Sequence, residues 1–543
     1  MPPRRSPPRR ERSPAGSRAS LPAGARGKGP AKRDSGPPAA APGRSVPSWT
    51  WLVLAGALVL AFYGLLRIGV DEPWGYDDYY HLGVARELRH HFPLRAFPWT
   101  PFSVLAERFA DKEPLFHLLL MPLAGLPLGV AALAGALLGQ AFLIGSTAWF
   151  LWRQRVPRAA GWLLGLAGLG PFFVLRVEQV RPHVWMLGWS ALLLAVLCEG
   201  ASLWAVAAVS ALFGLTHVAG WVGIAFALVW GLAGRLAAPG EERRIRLAPA
   251  LAAAGGWLVG QLVHPNLPHN LWQLWTVNVV IPLAAAGAAS RSLHEALGVE
   301  LQPMALPLLL QQWPVFVAPA LAVARLVRQP VSRSRAALTV TALSVAFLVG
   351  AAVLLGRLIE IGAVLGILAL ALVAGERARS GERVPSRVPG ARALACLLVL
   401  AAAWTVVEVR DLGRGDLRPL GGARPLAMAT YLGANGRPGA QVFTAQWADS
   451  APLFYAAPQL KSLVALDPTF FYAEDPRLFE RYWEIANGRS GDPVGEIARR
   501  FGARYLTLWK APAFAPLGMQ LRRDRRASIV YQDRFYEVWE LAG

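Results

Sequence analysis

"WLVLAGALVLAFYGLLRIGV" (Trp51–Val70) is followed, after four residues, by "GYDDYYHLGVARELRHH" (Gly75–His91). The first stretch matches the roughly 20 apolar residues a helix needs to cross about 30 Å of hydrocarbon. The second sets two carboxylates, Asp77 and Asp78, side by side just beyond it. It continues with Leu82, Ala85 and Leu88 at helical spacing, while Arg86, Glu87 and Arg89 face away. A membrane helix that delivers an acidic turn and a short amphipathic helix to one face of the bilayer is the element from which the rest of the chain is read.

The 543 residues are 54% hydrophobic and only 16% charged, with a mean hydropathy of +0.37, which is too apolar for an ordinary soluble protein. Apolar segments recur as far as Val409, and they predict an α-helical polytopic membrane protein. The net charge of +21 does not point to nucleic acid, because it sits in a tail and in short loops. Arginine-rich clusters fall at Arg153–Arg158, Arg235–Arg246, Arg325–Arg335 and Glu376–Arg387, each beside a hydrophobic span. The positive-inside rule makes them cytoplasmic. Residues 1–47 are rich in Pro, Arg, Ala, Gly and Ser and read as a disordered, basic cytoplasmic tail that sets topology. Its arginines could also touch anionic lipid. It is not read as a signal peptide, since the apolar run begins far from the start and no small-residue cleavage site follows Val70. Cys198 and Cys396 lie in or at the end of apolar spans and imply neither a disulfide framework nor a thiolate metal site.

With the tail inside, the parity of crossings between basic clusters closes with about eleven helices, provided that "PLFHLLLMPLAG" (Pro114–Gly125) lies along the interface. The expected organisation is a tail (1–47), a transmembrane region (48–409) whose first extracytoplasmic loop is 70–129, and an extracytoplasmic α/β domain (410–543). In that last part "QVFTA" and "RYLTLW" read as strands, "PVGEIARRFG" as a helix ending at Gly502, and "SIVYQDRFYEVWEL" as two strands across a tight turn. No internal repeat of fixed period is visible.

The first loop carries Asp71, Glu72, Asp77, Asp78, Glu87, Glu107, Asp111 and Glu113. Asp77 or Asp78 either caps the following helix or does chemistry. Asp111 and Glu113, two residues apart, could hold a divalent cation through oxygen ligands, with Asp78 as a partner from the same loop. His117, next on the chain, reads as a polar interfacial anchor more readily than as a ligand. "RVEQVRPH" (Arg176–His183) gathers two arginines, a glutamate and a histidine, Arg181 among them, between spans. "GRLIEIG" sets Arg357 three residues before Glu360, spaced for an internal ion pair or for phosphate binding. "HPNLPHNLWQLW" (His264–Trp275) reads as an aromatic-rich interfacial loop, with metal binding the second reading. Trp447, Asp449, Asp467, Asp475 and Trp483 line an acceptor face or simply belong to a packed core with loop carboxylates.

An N-terminal helix, a large first loop with two acidic motifs, many helices and a C-terminal extracytoplasmic domain resemble the GT-C superfamily of glycosyltransferases. "DYYHLGVAREL", "FADKEPLFHLLLMP", "HPNLPHNL", "GRLIEIG" and "WADSAPLFYAAPQLKSLVALDPTFFYAEDPRLF" are similar to a bacterial family of GT-C-type membrane proteins, over most of the chain from residue 48 onward. The resemblance implies a sugar donor on a polyprenyl phosphate or diphosphate at the outer face of the bacterial inner membrane, and inversion at the anomeric carbon. It implies Asp78, or its neighbour Asp77, as general base or metal ligand, Asp111 and Glu113 as the second acidic motif, and Arg357 at the donor phosphate. The acceptor would be a glycan, lipid or protein, and the cofactor a divalent cation, Mg or Mn. In such enzymes the second motif often pairs an Asp with following histidines. Here it reads Asp111-Lys112-Glu113, so that Lys112 could stand in for the metal charge. Two other readings are a transporter or flippase of a lipid-linked substrate, which would place charges near mid-membrane, and an inactive GT-C scaffold. The ionisable residues gather near one set of helix ends, which favours a transferase site.

Overall fold

The structure is a computed structural model. It describes residues 48–67, 73–237, 244–286, 291–328, 333–379, 396, 399–409, 425–464 and 467–542. The tail 1–47, Asp71, Glu72, residues 410–424 and parts of the basic clusters at 235–246, 325–335 and 376–387 lie outside the described residues.

The protein is a multi-pass helical bundle with a small sheet toward its C-terminus. Helix α1 (Trp49–Leu66) buries Leu52, Ala55, Val59 and Tyr63 but leaves Trp51, Val53, Leu58 and Leu65 more than 60% exposed. So much apolar surface on one helix is stable only against lipid. Among the described residues, four helices are long and apolar enough to cross a membrane: Trp49–Leu66, Leu128–Arg153, Arg335–Val353 and Leu358–Glu376. A fifth span forms if α5 (Ala159–Leu164) and its short extension are joined to α6 (Pro171–Val177), across a bend of 94°. The eleven uniform spans expected from hydropathy appear instead as these helices plus shorter ones, among them α7 (Pro182–Cys198), α8 (Leu203–Thr216) and α9 (Val222–Ala233). The segment expected near 304–326 is likewise split at Gln312-Trp313 into two helices, Leu306–Gln311 and Pro314–Arg328. Proline cannot continue the preceding turn's hydrogen bonding, so breaks fall before Pro171 and Pro314.

Close helix contacts use small residues. In α10 (Ala248–Leu262), Gly256 and Gly260 face α8, where an added Cβ would come within 2.0 Å and 2.7 Å of the carbonyl oxygens of Ala207 and Ala211. That four-residue spacing of glycines is a standard way to bring membrane helices together. The helix Leu358–Arg379 is the bundle's axis, with 89% of its apolar window buried. It starts at the same end as the 178–181 turn.

Between α1 and α4 (Leu128–Arg153), the chain forms α2 (Tyr76–Leu88) and α3 (Pro114–Leu120), the latter extended by a 3-10 turn to Gly125. Pro114–Gly125 is too short to span, in line with an interfacial placement. Leu82, Ala85 and Leu88 of α2 are buried as expected, but so are Tyr79, Tyr80, Gly83 and Val84 on other faces. The helix is covered on both sides, because the helix Ser450–Ala456 packs on it. Phe454 lies so close to Gly83 that a Cβ there would sit 2.7 Å from the ring.

The C-terminal sheet has the order β2-β1-β3-β5-β4, with β1 at Gln441–Thr444, β2 at Lys461–Ser462, β3 at Ala503–Trp509, β4 at Ala527–Gln532 and β5 at Tyr536–Leu541. β1 pairs parallel with β2 and β3, while β5 runs antiparallel to β3 and β4. The four expected strands and the helix Pro493–Phe501 are present. That helix is capped by Asp492 at its start and ended by Gly502 in the left-handed region (φ 59°). The two-residue edge strand β2 is an addition. Trp99 accepts the Ser462 N–H on its carbonyl (2.7 Å), and Phe470 accepts that of Val104 (3.3 Å), which joins the loop between α2 and α3 to the sheet region. Cys198 and Cys396 are free thiols.

Candidate active site

Helix α2 begins at Gly75, an extended N-cap with no side-chain cap, and carries Asp77 and Asp78 in its first turn, where the helix dipole favours negative charge. The two aspartates then part company. The Asp78 carboxylate is fully buried and accepts the Val180 N–H (2.7 Å) and the Trp74 N–H (3.1 Å). Burial pushes its pKa up to about 6, opposed mainly by Arg67 and those backbone donors. It ties the head of α2 to the 178–181 turn, which is the capping role in an extended form.

Asp77 faces the other way, into a ladder of opposite charges. Arg181 pairs with Asp77 and, at 3.1 Å, with Glu300. Arg176 bridges Glu300 and Glu360, and Glu360 stands 3.1 Å from His183 Nε2. The two arginines hold the Glu300 carboxyl well below its ordinary range against the opposing effect of burial. Burial raises the pKa of Asp77 despite Arg181. Glu360 therefore does not form the internal pair with Arg357 that its spacing allowed. Arg357 is half-buried. Its backbone N–H donates to the Glu300 carbonyl (3.0 Å), while its guanidinium takes part in no ion pair among the described residues.

The second acidic motif is a compact buried cluster. Asp111, Glu113 and His117 offer ligand atoms within 4.8 Å of one another. His117 Nδ1 lies 2.7 and 2.8 Å from the two Asp111 oxygens, and its Nε2 lies 2.8 Å from His81 Nδ1. Glu113 Oε2 is buried without a hydrogen-bond partner, and burial pushes the Glu113 pKa up to about 7. Two carboxylates and an imidazole suit a divalent cation that accepts oxygen and nitrogen ligands, and the orphaned Glu113 oxygen is the mark of an incomplete set. The site fits a metal ion. Its membership departs from expectation, because Asp78 is committed to backbone donors and is absent from the group, while His117, read as an interfacial anchor, is its third member.

The "HPNLPHNL" loop braces this cluster instead of forming a free aromatic belt. His264 Nε2 meets the Asp111 carbonyl at 2.9 Å, and Asn266 Oδ1 accepts the Asp111 N–H at 3.2 Å. Lys112, half-buried, holds its ammonium 5.3 Å from the Phe470 ring centroid. Lys112, Arg181 and Arg357 all lie within electrostatic range of the buried His217. Lys112 and Asp77 also both lie within electrostatic range of Glu113.

The sequence reading missed Glu300, His81 and His217. Only His81 carried a signal, since it lies four residues after Asp77 on α2 and so shares its side of the helix. The polar residues proposed for an acceptor face are folding devices. Asp449 is buried and accepts from Tyr536 Oη (2.7 Å), Asp475 caps the helix Pro476–Ala486, Asp467 accepts from Thr469, and Trp483 donates to Glu295 (3.0 Å).

No family model and no curated protein sequence matches the chain. Among solved structures, it is similar to the archaeal oligosaccharyltransferase AglB from Archaeoglobus fulgidus in complex with an inhibitory peptide and a dolichol-phosphate. The TM-score is 0.54 at 14% identity, covering 85% of this chain and 70% of that one. An Archaeoglobus fulgidus oligosaccharyltransferase tethered with an acceptor peptide gives 0.52 at 13% identity, with 84% and 69% covered. ArnT from Cupriavidus metallidurans gives 0.42 at 15% identity, with 91% and 98% covered. The AglB likeness, which covers 85% of this chain, shows that the two share a fold, the one expected from the motifs of this chain.

Proposed function

We propose that the protein is a membrane glycosyltransferase that moves a sugar from a polyprenyl-phosphate-linked donor to an acceptor hydroxyl or amide on the extracytoplasmic face of the bacterial inner membrane. The observation that carries this reading is the buried Asp111–Glu113–His117 cluster with its unpartnered Glu113 oxygen, which shares the stretch between α1 and α4 with Asp77 and Lys112. Cations beside an acidic base are what transfer from a phosphate leaving group requires. The dolichol-phosphate and peptide in the AglB complex are ligands of the same two classes.

In this mechanism Asp77 takes the acceptor's proton as the acceptor atom bonds to the anomeric carbon. The bond from that carbon to the phosphate oxygen breaks, with inversion, and the electron pair leaves with the polyprenyl phosphate. Arg357 and Lys112 receive the charge on the departing oxygen, and Arg181 aligns Asp77. Asp78 holds the head of α2 in place and does not touch the reactants. A divalent cation bound by Asp111, Glu113 and His117 would supply further positive charge to the donor phosphate.

The test replaces the wild-type chain with Asp77→Asn at matched membrane expression and profiles envelope glycolipids and glycans by mass spectrometry. Loss of one glycoform, with its unmodified acceptor and its lipid-linked donor accumulating, is the expected result. An unchanged profile in Asp77→Asn beside a changed one in the full deletion would refute the transferase.

A further inference from the structure

A groove of about 530 Å³ opens where the loop after α2 meets the sheet, lined by Pro101, Phe102, Arg437, Gln441, Lys461 and Arg504 among others. None of its lining residues belongs to the acidic centre, and no carboxylate is among them. Three features give it a ligand class.

The first is the spacing of its cations. Lys461 stands at the start of edge strand β2, in register with Gln441 of β1, which in turn pairs with Ala503 of β3. Arg504 is the extra residue of a β-bulge at that point, since Gln441 and Val442 pair with Ala503 and Tyr505, and a bulge re-aims the side chain it releases. Lys461 and Arg504 are thus about two strand spacings apart, roughly 10 Å, too far for one phosphate to bridge and suited to successive charges along a chain.

The second is availability. Arg437 and Lys461 are exposed and take part in no ion pair among the described residues, whereas Arg504 shares Glu540 at 2.7 Å. The helix Pro493–Phe501 ends at the groove and brings a partial negative charge of about half a unit, which three cations outweigh. The third is a flat apolar surface. Phe102 packs edge-to-face on the buried Phe501 ring at 5.7 Å, which holds one aromatic face rigid for the apolar side of a sugar.

We infer that this groove binds an extended saccharide bearing repeated negative charges. The groove also lies within chain reach of the acidic cluster. Phe102 and Asp111 are nine residues apart on one loop, so the chain caps their separation at roughly 30 Å. The further step, that the bound saccharide is the distal part of the acceptor, rests on the transferase reading. Binding itself does not.

The full chain in phosphatidylcholine nanodiscs is titrated calorimetrically with a hexameric oligouronate and with neutral maltohexaose. The oligouronate binds saturably and more weakly as salt rises, and maltohexaose does not bind. The double variant Arg437→Ala/Lys461→Ala, at two exposed positions, weakens the oligouronate by on the order of tenfold or more, and Phe102→Leu by a smaller factor. Asp77→Asn binds like wild type, so loss of transfer and loss of the groove are read separately. The inference is overturned if the oligouronate fails to bind, if the double variant binds it unchanged, or if inorganic phosphate or a soluble short-chain phosphatidylglycerol displaces it at equal charge concentration.

Discussion

Two charged clusters meet at the head of α2, and they are built in opposite ways. The Asp111–Glu113–His117 cluster is local, with all three residues within seven positions on the loop and α3, and it leaves one buried oxygen unpartnered. The ladder of Asp77, Arg181, Glu300, Arg176 and Glu360 draws on four separate segments and pairs every carboxylate with an arginine. Arg357 stands beside the ladder without joining its ion pairs. A buried paired network fixes geometry, while an unpaired donor or acceptor beside it is where a ligand gains most. The arginines and glutamates of the ladder therefore read as the frame, and Asp77, the Glu113 oxygen, Lys112 and Arg357 as the working edge.

The sharpest way to break that contrast is to treat the adjacent aspartates alike. Asp77→Asn should lower transfer per folded molecule by about 10²–10⁴-fold, the range for loss of a general base, with little change in unfolding midpoint. Asp78→Asn should keep most turnover per folded molecule but cost about 1–3 kcal/mol, because one of two buried backbone donors loses its acceptor. Equal losses of turnover would erase the distinction.

A second pair separates frame from edge among the arginines. Arg176→Ala leaves Glu360 buried without its main partner and should destabilise the protein by about 3–5 kcal/mol, read as a lower midpoint in detergent. Arg357→Ala breaks no ion pair, so it should unfold like wild type while losing roughly 10²-fold in transfer. Arg357→Lys should recover only part of that, since a point charge replaces a planar fork. For the local cluster, prolonged chelation should slow transfer and added Mn²⁺ or Mg²⁺ should restore it. Glu113→Gln should raise the metal concentration needed by about 10–100-fold. Transfer indifferent to chelation yet abolished by Lys112→Met would give the cationic role to Lys112.

A pH-linked effect lies away from both clusters. Burial pushes the Asp449 carboxyl up to about 7. The folded chain then holds a proton that the unfolded chain releases near pH 4, so stability falls as pH rises from about 4 to 7 and is level above that, by at most about 1.4 kcal/mol per pH unit. Asp449→Asn should flatten that slope in thermal melts between pH 5 and 8.

Local signals carried much of this architecture. Length and hydropathy mark α1 and α4, Asp492 and Gly502 mark both ends of one helix, and alternation over Ser528–Leu541 marks the β4–β5 hairpin. The pairing of Asp111 with His117 is just as local, one helical turn and a loop apart, yet a single histidine on an apolar helix reads as an interfacial anchor. What was not legible depends on contacts across more than a hundred positions. Nothing near Glu300 announces that it will sit between Arg176 and Arg181, and nothing at Asp78 says that the Val180 N–H will claim it. Hydropathy windows also merge helices that Pro171 and Pro314 divide, because a break of one or two residues barely changes an average.

The contact between Gly83 and Phe454 bears on how such a chain can change over time. Any side chain larger than hydrogen at position 83 would have to push aside the Phe454 ring, while Arg86 ties the same helix to α2 through the Tyr455 carbonyl and ring. The sheet region is thus not a detachable accessory that could be traded for another to acquire a new acceptor. A replacement would have to present a flat ring to the same bare patch of helix, so the acidic helix and its cover are constrained to evolve as one piece.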